Sequence, residues 1–246
     1  MFNLIQVEFL KLKNSKVFFL SLLAGLIPPF AMYVGALETL VDNPDFVLQF
    51  SSMFYNTHIY MVGLFAVFIL CVIISNLIGK EYTDHTLKLV LTSPVSGVKF
   101  LASKYIVFVI WTAILMVVTF LGTILFGYLG GGCGLTLNLA LEYSFKYLYG
   151  GFLLDLAMAP LIFLSMVLNN MVPSLITGAV LVFTNLFSYS LPWAPYSPWM
   201  ASYLLSSGDV SQYVGGFSIS WTVLLLTFVI GIAISYIYFV VKDTTK

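Results

Sequence analysis

The chain is 246 residues long, 61% hydrophobic and 8% charged, with a mean hydropathy of +1.03. Soluble domains carry about 25% charged residues, so too little charge is present to cover a water-exposed surface, and lipid must take its place. Ten lysines, no arginine and ten acidic residues cancel to zero net charge, which argues against the basic patch of a nucleic-acid binder.

Residues 2–16 form the first element. Phe2, Ile5, Phe9 and Leu12 recur at helical spacing, with Asn3, Gln6, Lys13 and Asn14 largely elsewhere. The pattern predicts an amphipathic helix lying in the inner membrane interface. A span of the membrane needs about 20 mostly apolar residues. Runs of that kind predict six spans, at about 17–37, 59–79, 105–127, 148–168, 172–190 and 219–241. The first run follows Lys11, Lys13 and Lys16 but is too long for a signal peptide and lacks a small-residue cleavage site, so it reads as a retained helix. The runs are continuous and twice the length of barrel strands, so the expected fold is an all-α integral membrane protein with one transmembrane domain.

Between the second and third spans, residues 80–104 carry a short helical pattern. Leu87, Val90 and Leu91 sit at i, i+3, i+4 and share one face. Thr83 or Asp84 is placed to cap its start, and Pro94 ends it. Such a helix can lie on the lipid surface, dock into a cytoplasmic partner, or serve as a solvated connector.

The third span leads into a glycine cluster, Gly130, Gly131, Gly132 and Gly134. No strand precedes it and no lysine follows, so it reads as a flexible turn and not a nucleotide loop. Cys71 lies in an apolar run and Cys133 in this turn, which makes a disulfide between them unexpected. His58 and His85 read as isolated. In the fourth span, Asp155 is the acidic residue well inside the apolar run, and Pro160 predicts a kink. Intramembrane carboxyls face protein or water, so Asp155 reads either as a wall of a translocation path or as a hydrogen-bonded residue at a helix interface. Asn169, Asn170 and Pro173 mark a tight turn before the fifth span. Residues 191–218, with Pro192, Trp193, Pro195, Tyr196, Pro198 and Trp199, fit an interfacial aromatic belt.

Lysines fix the expected orientation. Lys11, Lys13 and Lys16, then Lys80, Lys88, Lys99 and Lys104, then Lys242 and Lys246 fall on one side of a six-span arrangement. Lys146 falls on the other, with Glu38, Asp42, Asp45, Glu142 and Asp209. The positive-inside rule then puts both termini in the cytoplasm.

The 80–104 stretch resembles the cytoplasmic loop of ABC-2 type transporter permeases. The residues that carry the resemblance are Glu81-Tyr82, Thr86-Leu87-Lys88, Leu91-Thr92, Pro94-Val95-Ser96 and Lys104. His85 stands where glycine is common in that motif, and Gly97 where a basic residue is common. Chain length, six expected spans and the N-terminal helix match the same family, and the small permeases of bacitracin and lantibiotic resistance are similar in character. The resemblance implies a permease subunit of an exporter in the bacterial plasma membrane, carrying an amphipathic substrate such as a peptide antibiotic, a lipid-linked compound or a hydrophobic molecule. It implies that residues 83–93 are the coupling helix, with Glu81, Asp84, Thr86, Leu87, Lys88, Val90, Leu91 and Pro94 at the contact with an ATPase. The partners would be a cytoplasmic ABC ATPase dimer, which binds ATP and Mg, a second or related permease, and membrane lipids. The 191–218 segment would dip back into the outer leaflet as short helices. This chain has no G-x-x-x-x-G-K-[ST] of its own. Other classes are an ion-driven secondary transporter, which would show internal repeats and several buried ionisable groups, and an intramembrane enzyme, which would need paired catalytic groups at membrane depth.

Overall fold

The structure, a computed structural model, describes residues 2–13, 15–79, 97–168, 171–189 and 191–244. Among them every regular element is helical, and Gln49 and Cys133 form an isolated backbone bridge. Helix α1 is Phe2–Lys13, α2 is Lys16–Gly25 and α3 is Ile27–Asp42. Helix α4, Phe50–Tyr60, runs through a π-helical turn at Met61–Phe65 into α5, Ala66–Ile74, and ends in a second π-helical stretch at Ser75–Gly79. Then follow α6 (Gly97–Leu129), α7 (Leu137–Ala157), α8 (Ala159–Leu168), α9 (Met171–Ser188), α10 (Pro198–Ser207) and α11 (Gly216–Thr244).

Four continuous helical stretches are long and apolar enough to cross a membrane: Lys16–Asp42, Phe50–Gly79, Lys99–Leu129 and Gly216–Tyr238. Helices α7 and α8 make a fifth if taken as one span bent by 45°. Helix α9 is shorter, with its apolar stretch at Val172–Ser188. The second span begins at Phe50, nine residues before the apolar run from 59, because polar residues such as Asn56, Thr57 and His58 are helical too. The helix of the third begins at Gly97, so Lys99 and Lys104 belong to it and not to the preceding loop.

Local chemistry accounts for the breaks. Pro28 and Pro29 stand in the first turn of α3, where a missing N–H costs little, so α2 stops at Leu26 and α3 starts afresh. Pro160 cannot donate to a carbonyl four residues back, and the chain bends at Met158 between α7 and α8. The Thr136 hydroxyl accepts from the Leu139 N–H at 3.3 Å and caps α7. Gly208, with φ +94°, closes α10 in a left-handed turn. The glycine turn after α6 is pinned, contrary to the flexible turn expected. Phe50 N–H donates to Cys133 O at 3.0 Å, and Cys133 N–H donates to Leu48 O at 2.8 Å. Both thiols are free, Cys71 buried and Cys133 exposed.

The Phe50–Gly79 helix is the centre of the bundle. Helix α6 packs against α7, α3 and α1, α5 against α9, and α11 against α8 and α10. Trp111, Tyr147, Tyr203, Phe54 and Phe108 fill the interior. The first and last spans turn Phe19, Leu23, Phe30, Leu226, Val229 and Ile230 outward, as a lipid-facing surface requires. Where α11 crosses the start of α8, a Cβ on Gly231 would lie 2.6 Å from the nitrogen of Pro160. A missing side chain lets the two backbones approach.

Candidate functional site

Three groups of polar side chains are buried in the bundle, at its middle and near each end. In the middle, Asp155 points from α7 toward α6. It is 1% exposed, and its Oδ1 lies 2.7 Å from Thr112 Oγ1. Thr112 Oγ1 also lies 3.1 Å from the Phe108 carbonyl one turn back, and the Tyr105 hydroxyl donates to the Asp155 carbonyl at 3.0 Å. The side chain therefore joins two helices just before the bend at Met158.

At the end nearest α1, Glu8 is buried and holds two lysines. Lys104 Nζ lies 2.7 Å from its Oε2 and Lys11 Nζ 3.1 Å from its Oε1. Ile5, Glu8, Phe9 and Leu12 make the inward face of α1, while Val7 and Leu10 are exposed. The expected apolar stripe is present over Ile5, Phe9 and Leu12, but it contains a carboxylate. Glu8 shares the i, i+3, i+4 spacing of that stripe, and Lys104 was already placed at the mouth of the third span. A buried acid on an apolar face needs a partner, and those two facts together could have identified one.

At the opposite end, His58 of α4 is 1% exposed and not isolated as its sequence context suggested. Its Nε2 lies 3.2 Å from the Lys146 carbonyl and 3.3 Å from Ser206 Oγ, and its ring packs beside Tyr147 and Tyr203. A Cβ at Gly150 would stand 2.9 Å from Ser206 Oγ and 3.2 Å from His58 Nε2, so a larger residue there would have to displace the serine. Farther out, the Tyr203 and Tyr55 hydroxyls both donate to Asp209 Oδ2, at 2.5 and 3.0 Å. Burial, and then the hydrogen bond to the Asp209 carboxylate, raise the Tyr203 phenol above its ordinary range.

Asn185 of α9 ties the first π-helical turn to this end. Its Nδ2 donates to Gly63 O at 2.9 Å, and its Oδ1 accepts from the Ser197 hydroxyl at 3.3 Å. π-Helical turns leave backbone carbonyls displaced from the α pattern and recur at functional positions. Nothing in the apolar periodicity of 59–79 marks this one.

Of the expected site residues, Asp155 falls within the bundle as described. Glu81, Asp84, Thr86, Leu87, Lys88, Val90, Leu91 and Pro94 lie outside the described residues, as does the Asn169-Asn170 turn.

The sequence profile of the ABC-2 family transporter proteins matches residues 4–185. The chain is also 32% identical over 197 residues to the bacitracin transport permease protein BCRB of Bacillus licheniformis, covering 80% of this chain and 94% of that protein. No solved structure matches.

Proposed function

The chain belongs to the ABC-2 family of transporter proteins, and from that premise we propose that it is the membrane-spanning permease subunit of an ABC exporter, driven by a separate ATPase. The family match over residues 4–185 carries this reading. The apolar outward faces of the first and last spans support it, as does the scarcity of ionisable groups in the bundle.

In this proposal α7 and α8 form one bent span and α9 another, which makes six with both termini in the cytoplasm. The lysine distribution supports that orientation. Two copies, or this chain and a related permease, pair with an ATPase dimer that binds ATP and Mg. The work arrives through the 83–93 coupling helix. The substrate is an amphipathic molecule: a peptide antibiotic, a lipid-linked compound or a hydrophobic compound. The relative named for bacitracin transport supports the first of these. Asp155 belongs to the wall of the path. In the conformation described, its carboxyl is closed off by Thr112. Opening the path parts α6 from α7 about the bend at Met158.

The test is affinity purification of the tagged chain from its native host in mild detergent. An ATPase bearing a P-loop sequence should copurify and hydrolyse ATP. Recovery of the permease without any such subunit, under conditions that keep it folded, rejects the proposal in favour of an ion-driven transporter.

A further inference from the structure

One carboxylate at the Lys146 end of the bundle has more acceptor capacity than the chain uses. Asp209 is half-buried, and both its phenol donors, Tyr55 and Tyr203, bond to Oδ2. Its Oδ1 receives no hydrogen bond from a described side chain, and no lysine lies within ion-pair distance among the described residues. Lys146, the nearby cation, is held instead by Glu142 at 2.7 Å and over the Tyr143 ring at 4.8 Å.

Two further tyrosines adjoin the pair that donates to this carboxylate. The Tyr189 and Tyr203 rings lie 5.9 Å apart, and the Tyr213 hydroxyl fixes Tyr189 through a 3.1 Å bond to its carbonyl. Tyr55 and Tyr189 also line a cavity of about 230 Å³ between α4 and α9. Ile59, Leu64 and Leu186 line the same cavity beside Asn56 and Asn185, and Leu186 is 54% exposed at its mouth. The site is therefore graded. The Asp209 carboxylate stands beside the cavity, joined to its wall by the Tyr55 hydroxyl, and the alkyl-lined part lies beyond.

A half-buried carboxylate with an open acceptor oxygen selects a cation by charge, and the alkyl-lined hollow beside it selects a cation that carries an apolar chain. Glu38 and Asp42, in the last turns of α3, and Asp45, in the connection to α4, are further exposed acids. We propose that the Tyr55–Tyr189–Asp209 cluster and the cavity behind it bind the ammonium group of an amphiphile, with its alkyl part lying along Ile59, Leu64 and Leu186. This deepens the exporter reading, on which it rests for the claim that the site opens at the outer leaflet. The binding chemistry itself stands without it.

The experiment measures binding of octylammonium and of neutral octanol to the purified full chain in dodecyl maltoside. Octylammonium should bind at least ten-fold more tightly, and Asp209→Asn should remove that preference. Leu186→Trp, at the cavity mouth, should weaken octylammonium several-fold without moving the unfolding temperature. If Asp209→Asn does not fold, the wild-type comparison and Leu186→Trp decide. Equal binding of the two probes, or unchanged octylammonium affinity in either folded variant, overturns the assignment. Competition then separates two sources of the group. Displacement by phosphatidylethanolamine in the micelle assigns a bilayer lipid, and displacement by trilysine assigns a water-borne solute. Displacement by neither overturns it as a site for a natural ammonium group. Failure of an ATPase to copurify would reject the exporter reading and leave this binding result untouched.

Discussion

Glu8 and Lys104 meet at 2.7 Å across 96 residues of sequence, both nearly enclosed, and so lock the first helix to the base of the third span. Each charge alone would be costly in that setting. Buried pairs add little net stability over apolar residues of the same size, but breaking one leaves the other charge stranded. The pair therefore specifies where α1 sits more than it stabilises the bundle. A helix held only by Ile5, Phe9 and Leu12 could slide against α6, whereas one holding Lys104 has a single register.

Glu8→Gln and Lys104→Met should each destabilise the protein by about 3–5 kcal/mol. The double change Glu8→Leu with Lys104→Met should recover most of that loss, because no charge is left without its partner. Thermal unfolding of the three variants in detergent measures this. If the double variant is as unstable as the sum of the singles, the two residues are not energetically coupled.

This pair also marks where sequence reasoning stops. The apolar runs reveal the long helices because continuous hydrophobicity is a local property. Helix α1 is legible for the same reason, and Pro160 gives away the bend before α8. Pairing is different. Nothing local distinguishes Lys104 from Lys99, yet Lys104 is enclosed and Lys99 exposed, because α6 begins at Gly97 and turns one inward. Asp155 is conspicuous from its surroundings, but its partner Thr112 is not, since one threonine in an apolar helix resembles any other. His58 looks isolated because its neighbours come from α7 and α10, long distances along the chain. Gly150-Gly151 was the available clue to that close approach.

Topology is testable with a native probe. Cys133 is exposed in the glycine turn, and Cys71 is buried. With both termini inside, a membrane-impermeant maleimide should label Cys133 on intact cells. In a Cys133→Ser background, Asp42→Cys should label from outside, and Lys88→Cys only after the membrane is opened. Labelling of positions 42 and 88 from the same side would contradict six spans.

Thr112 and Asp155 should respond asymmetrically. Thr112→Val removes the partner and leaves a carboxyl enclosed without one, which costs about 1–3 kcal/mol or more. Asp155→Leu leaves Thr112 its bond to the Phe108 carbonyl, so its stability cost should be smaller. If Asp155 lines the path, Asp155→Asn should keep assembly intact and lower transport several-fold. Melting temperatures and transport by the intact complex separate these outcomes. Transport and stability both unchanged in Asp155→Asn and Asp155→Leu would leave the residue with neither role.

Gly231→Leu should force α11 away from the α7–α8 bend, because a Cβ there would meet backbone and not a flexible side chain. Overpacking of this kind costs about 1–3 kcal/mol. Gly35, with open space around it, serves as the control, and Gly35→Ala should change stability little. Comparable losses at the two positions would show that close helix approach is not what Gly231 provides.

The coupling contact is the remaining prediction. A permease without a nucleotide site receives work through a physical contact with its ATPase. That contact needs apolar residues on one helical face, on the cytoplasmic side, and joined directly to two spans. In the proposed topology the 83–93 segment meets these requirements, since Leu87, Val90 and Leu91 share a face by sequence and the segment lies between the second and third spans. Interface energy concentrates in a few buried residues, each costing about 2 kcal/mol or more when truncated. Leu87→Asp or Leu91→Asp would in addition place an unpaired charge against the partner. Either substitution should leave the chain inserted in the membrane but strip the ATPase during purification. Glu81 and Lys88 should matter less, because exposed ion pairs contribute about 0–1 kcal/mol. The readout is the ATPase-to-permease ratio after affinity purification. A wild-type ratio in both leucine variants would mean that the work enters through another surface, and the inner end of α1, locked to the third span by Glu8 and Lys104, would be the next place to substitute.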